Sequence, residues 1–262
     1  MIIKDLKSKT QGLKNKILIY SLFTIHYSLF FAADANAMHI SEGILPLEWA
    51  LIWYAVAIPF VAYGIWRLKA VSKTDLSFKP LVGLLAAVVF IISCMPVPVP
   101  TAGTCSHPAG TGITAIILGP AISALVASVA LFIQALFLAH GGLSTLGANI
   151  VSMGIMGSLA GYIAFKALMS IRMNLMVSGF FAGLFADWAT YLMTSIELAA
   201  GIRGESPFFP LLTKIIIAFA PTQIPLGILE GAMTAGVVML LYKKRPDLLA
   251  KMMVLKPEDV KA

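Results

Sequence analysis

Apolar runs separated by short polar or glycine- and proline-rich segments set the pattern of this chain. The first run, 17–31, follows Lys14 and Lys16 and precedes Ala35-Asn36-Ala37. A basic region, an apolar region of about 15 residues and a small-residue site, in that order, mark a secretory signal peptide with cleavage after Ala37. The rival reading, an uncleaved anchor helix, suits a longer run without a cleavage site. Further runs predict spans at 47–66, 80–95, 121–139, 150–165, 175–199 and 211–242, the last interrupted at Pro221 and Pro225. A seventh piece, 111–118, is too short to cross lipid and is closed by Gly119-Pro120, which a continuous helix does not readily accommodate. Such a piece belongs against other helices or along a cavity.

Composition agrees with this pattern. The chain is 59% hydrophobic, only 12% charged, and has a mean hydropathy of +0.91, so it reads as an all-α polytopic membrane protein. Removing residues 1–37 leaves 225 of the 262, at about 20 residues per crossing enough for six or seven helices and no soluble domain. The expected organisation is a signal peptide at 1–37 and one membrane-embedded domain at 38–262. Five of the 19 basic residues and two of the 12 acids fall in the discarded segment, so about +4 remains. Cytoplasmic loops of a membrane protein account for that surplus without nucleic acid.

Charge also decides the count. With Met38 outside, counting 111–118 as its own element puts Lys166, Arg172 and the basic C-terminal tail inside; fusing it to the next run puts them outside, against the positive-inside rule. Seven elements, one short, are therefore expected, with the C-terminus cytoplasmic. The same count places His39, His107, His140 and Asn149 on one outer side.

Cleavage after Ala37 makes His39 the second residue. The Met38 amine, the His39 amide nitrogen and one His39 ring nitrogen can then close two fused chelate rings on a metal ion. Planar nitrogen sets suit late first-row divalent ions, and neutral imidazole is the commonest biological metal ligand. His107, in a tight loop of glycine and proline, can supply a fourth nitrogen. Taken singly, either histidine is also readable as an incidental loop residue; their shared side favours a site. Cys105 is a soft ligand or simply a small residue. His140 ends a helix, where a histidine is favourable, or stands at the metal entrance. Asn149 orients a ligand or caps a loop. Asp187 and Glu230 lie inside spans, where an ionisable group marks function by default. Glu42 reads as an acid near the start of the first helix. Glycines at 154, 157 and 161, at 179 and 183, and at 227 and 231 read as close helix contacts. No G-x-x-x-x-G-K-[ST] and no H-E-x-x-H occurs, so neither P-loop ATP binding nor an ordinary zinc protease is indicated.

The stretches MHISEGILP (38–46), GTCSHPAG (103–110), AHGGLSTLGAN (139–149), DWATY (187–191) and TQIP (222–225) resemble the CbiM/NikM family, the substrate-capture membrane subunits of energy-coupling-factor cobalt and nickel importers. The resemblance covers nearly all of the chain beyond residue 37. It implies a seven-helix fold with the mature amino terminus tucked into an outward-facing pocket. It implies metal held by the Met38 amine, the His39 amide and ring, and the His107 ring, with no resident cofactor. Implied partners are a transmembrane coupling protein, cytoplasmic ATPase subunits and a small two-helix membrane subunit. The signal peptide and Ser106 before His107 resemble the cobalt-type members. The expected function is therefore Co2+ import for cobalamin synthesis in a bacterial or archaeal cell membrane. Ni2+ import is the near alternative; a membrane-embedded zinc enzyme and a metal-free structural protein are the remote ones.

Overall fold

The computed structural model describes residues 39–95, 97–99 and 104–255; the expected signal peptide, the expected cleavage site and Met38 lie outside them. Helix α1 (Leu47–Thr74) opens at Pro46 and carries Pro59 within it. It runs past the expected end at residue 66, so Arg67, Lys69 and Lys73 ride on its last turns. α2 (Phe78–Ser93) follows. Two three-residue strands, β1 (Val97–Val99) and β2 (Thr104–Ser106), pair antiparallel, a feature the sequence reading did not contain.

α3 (Thr111–Leu118) is a separate eight-residue helix, buried from Thr111 to Ile117. Gly119 ends it at φ +79°, ψ 161°, a backbone that side chains rarely adopt, and Pro120 restarts the chain as α4 (Pro120–Phe137). A continuous helical rod then comprises α5 (Leu146–Asn149), a π-helical segment (Ile150–Gly157) and α6 (Ser158–Ser170). α7 (Leu175–Ile202) starts with an Asn174 cap that accepts the Val177 N–H, the usual service of an N-cap side chain. α8 (Phe208–Lys244) passes helically through Pro221 and Pro225, so the expected interruption there is corrected: packing against neighbours compensates the bonds that proline removes. Short α9 (Pro246–Lys251) ends the described chain.

Five of these elements, α1, α4, the 146–170 rod, α7 and α8, are long and apolar enough to cross a membrane. α2 is a shorter apolar helix. α7 and α8 cross closely: a Cβ on Gly183 would come within 2.6 Å of Glu230 O, and one on Gly231 within 2.7 Å of Phe180 O. That is the role expected of these small residues.

Most of the described basic residues gather at one end of the helices, with Arg203 and Lys214 toward the other. Lys251 pairs with Asp75 at 2.7 Å and donates to Ser77, and Lys166 donates to Met253 O. The loops carrying His39, His107 and His140 meet at the other.

Candidate metal centre

The segment beginning at His39 is stitched into the loop after α4. Ile40 N–H donates to Asn149 Oδ1 at 3.0 Å. Asn149 Nδ2 and Thr145 Oγ1 both donate to Ile40 O, at 3.2 and 2.5 Å. Glu42 accepts the Ser144 N–H at 3.0 Å, which with the Ser144 hydroxyl holds its carboxyl below the usual range. Glu42 lies near the start of the first helix, as the sequence suggests, and its carboxylate binds the facing loop because the chain turns at Gly43 before α1 begins. Gly141, at φ +76°, has its missing Cβ 3.1 Å from the Cβ of His39, so only glycine leaves room for that ring.

The His107 loop is fixed from α7 and α8. Its backbone N–H donates to the Tyr191 hydroxyl at 3.0 Å, and that hydroxyl donates back to His107 O at 3.2 Å. Ser106 Oγ lies 3.2 Å from Thr222 Oγ1 and accepts from Gln223 Nε2. Glu230 accepts the N–H groups of Ala109 and Gly110 at 2.5 and 2.9 Å, just before α3 begins.

The two rings meet at 4.5 Å between centroids, nearly perpendicular. Their tautomers follow from their partners. His107 Nδ1 lies 2.8 Å from Pro108 O; a carbonyl can only accept, so Nδ1 carries the proton and Nε2 a lone pair. Gln134 Nε2 donates to Ser93 Oγ at 2.7 Å, which leaves its Oε1 facing His39 Nε2 at 3.1 Å. His39 Nε2 is thus the protonated nitrogen and Nδ1 the free one. His39 Nδ1 and His107 Nε2 face each other at 3.4 Å with no proton to share. Two nitrogens each about 2.0–2.1 Å from one ion stand roughly 2.9–3.4 Å apart for angles of 90–110°. The gap therefore has the dimension of a shared cation.

Burial lowers the pKa of both rings: His107, only 2% exposed, is brought down to about 4, and His39 falls well below its ordinary value, the neighbouring His107 adding to the effect. Both rings are therefore held neutral. A cavity of about 20 Å3 beside them, lined among others by Ile40, Ser152, Thr190 and Tyr191, has room for one water-sized body. Among the described residues the His39 backbone N–H has no acceptor, and no group of three His, Cys, Asp or Glu side chains is poised around a metal.

Residues 39–248 match the CbiM family, described as the cobalt uptake substrate-specific transmembrane region. The chain belongs to this family. CbiM relatives include the cobalt transport protein CbiM of Geobacter sulfurreducens, 66% identical over 86% of this chain and 65% of that protein. That of Sorangium cellulosum is 54% identical over 84% of this chain and 97% of its own length. A crystal structure of a truncated transition metal transporter superposes with a TM-score of 0.70 at 30% identity, over 79% of this chain and 99% of that one. Family membership and the apolar helices make this a multi-pass membrane protein.

Of the residues singled out in the sequence, His39, His107 and Asn149 come together as above. His140 is nearby, its ring centroid 6.4 Å from that of His39; it lies three residues beyond α4 and closes that helix's end with its backbone N–H, which donates to Gln134 O at 3.2 Å. Met38 and the side chain of Cys105 lie outside the described residues. Asp187 and Glu230 are fully buried neighbours on α7 and α8; Glu230 grips the His107 loop, and the Asp187 carboxyl faces it from the neighbouring helix. No role was assigned from sequence to Gln134 or to Glu197, buried on α7, nor to Thr145, Tyr191 and Gln223, which stand in the stretches that carry the resemblance and which, with Gln134, orient the two histidines or their loops. Polar side chains inside apolar runs were the available signal.

Proposed function

We propose that this chain is the metal-capturing membrane subunit of an ATP-driven importer of the energy-coupling-factor type, with Co2+ as cargo destined for cobalamin synthesis. The observation that carries the reading is the pair of unprotonated nitrogens, His39 Nδ1 and His107 Nε2, aimed at each other across 3.4 Å. After signal-peptide removal the Met38 amine and the His39 amide would add two more nitrogens to the same ion. The similarity to proteins named for cobalt transport favours Co2+ over Ni2+.

In this proposal the mature amino terminus faces outward and the basic end of the helices faces the cytoplasm, in keeping with the positive-inside rule. A transmembrane coupling protein, cytoplasmic ATPase subunits and a small two-helix membrane subunit complete the importer. ATP-driven rocking of this subunit against the coupling protein opens the site inward. The chain itself transfers no chemical group.

The test combines intact mass and N-terminal sequence of the purified membrane protein with calorimetric titration by Co2+ and Ni2+. The expected result is a chain beginning at Met38 that binds one Co2+ per molecule, with Ni2+ competing for the same nitrogens as the order of divalent-ion affinities requires. Material that begins at Met1, or that binds neither ion, rejects the proposal.

A further inference from the structure

His107 is tied to Glu230 through a single peptide group. The ring donates from Nδ1 to Pro108 O at 2.8 Å. The same peptide plane presents the Ala109 N–H on its opposite edge, and that N–H donates to Glu230 Oε2 at 2.5 Å. The other carboxylate oxygen takes the Gly110 N–H at 2.9 Å, with Gly110 turned to φ +70°. Glu230 is 1% exposed, so no water competes for these bonds.

We propose that Glu230 is a positioning residue for His107, acting as the carboxylate of a carboxylate–peptide–imidazole relay that aims the ring and strengthens Nε2 as a metal donor. Metal-bound histidines generally give their second N–H to an acceptor that fixes the tautomer and raises ligand basicity. Here the acceptor is a carbonyl, and the carboxylate polarises it from the far side of its own amide. Hydrogen bonds joined in series in a low-dielectric interior reinforce one another. Because Glu230 stands on α8 while His39 hangs from Gln134 on α4 and Asn149 on α5, the relay also makes the ring separation sensitive to the position of α8.

This inference rests on the metal-site reading above, yet its first readout needs no metal. In the metal-free wild-type protein, 15N NMR of labelled histidine should report His107 protonated at Nδ1 in a strong hydrogen bond. Glu230→Gln, which keeps the shape but loses the charge, should move the His107 Nδ1 resonance and weaken Co2+ binding 10–100-fold, with shifted Co2+ absorption bands. Tyr191→Phe is the control: it loosens the same loop at His107 without touching the Pro108–Ala109 peptide, so it should weaken binding while leaving that resonance in place. An unmoved Nδ1 resonance in Glu230→Gln overturns the relay, as does an equal displacement in Tyr191→Phe. Absence of Co2+ binding by wild type alongside the expected NMR shift overturns the transport reading and leaves the relay standing.

Discussion

Asn149 holds Ile40 by both polar atoms of its backbone, accepting the N–H at 3.0 Å and donating to the carbonyl at 3.2 Å. This pairing of one buried side-chain amide with the backbone of one residue places Ile40 next to His39, and with it the ring. Asn149→Ala leaves a buried N–H without its partner, at a cost of about 1–3 kcal/mol. Metal affinity should fall about 10–100-fold while the helices stay folded. Titration with Co2+ beside a thermal melt in detergent checks both parts; an unchanged affinity would show that Ile40 is positioned by other contacts.

The two histidines should be separately indispensable. His39→Ala and His107→Ala each remove one of the facing nitrogens, and each should abolish Co2+ accumulation in cells while membrane insertion stays normal. Radiolabelled uptake with immunoblotting of the membrane fraction measures this. Normal uptake by either variant is incompatible with the site described.

The pH dependence of capture should come from the backbone end of the cage and not from the rings. Burial keeps His107 neutral down to about pH 4 and also lowers His39, whereas an exposed histidine protonates near 6.5 and a free α-amine near 7.7–8.0. Binding must displace protons from the amine, and from the amide if it coordinates as an anion, so affinity should strengthen as pH rises from 6 to 8. No break should occur at 6.5. For the metal-free protein the sign is the same: below about 6.5 the unfolded chain takes up protons that the buried rings refuse. Stability should therefore fall as pH drops from 6.5 toward 4. Calorimetry and melts across that range check both statements.

Gly141→Ala should act on the His39 side of the site, through His39 and the Asn149 amide 3.2 Å from the new Cβ. The backbone at φ +76° is strained for alanine, and the new Cβ would sit 3.1 Å from that of His39. Weakened Co2+ binding with an undisturbed His107 is the expected outcome, read by histidine NMR.

The helices were legible because apolar runs and charge asymmetry are local properties of the sequence. The break at Gly119-Pro120 was legible for the same reason, since both residues act on their own backbone. Helix ends were less so: α1 reaches Thr74 and α8 starts at Phe208, because polar residues continue a helix once its apolar part is packed. His39 and His107 announced themselves by chemistry and shared side. Gln134 and Tyr191 did not, because a polar residue inside an apolar run gives no hint of its partner 84 or 95 positions away. Glu230 was legible as anomalous, and only the folded contact shows that it serves the loop before α3.

The register of the amino terminus should matter as much as the rings. In the proposed site, with Met38 first, the amine, the amide and the His39 ring would supply three nitrogens of a plane, and His107 the fourth. A variant carrying one extra residue before Met38 makes His39 third in the chain. The new amine, two amide nitrogens and the His39 ring can then fill a square plane unaided, an arrangement that suits Ni2+ or Cu2+. The pocket beside the rings offers only about 20 Å3, so the added residue has no place inside and the terminus should be drawn away from His107. The variant should still bind Ni2+ or Cu2+, should lose its dependence on His107, and should not support cobalt uptake. Metal titration of this variant with and without His107→Ala decides the matter: continued dependence on His107 would mean that the free amine at Met38 is not part of the cage.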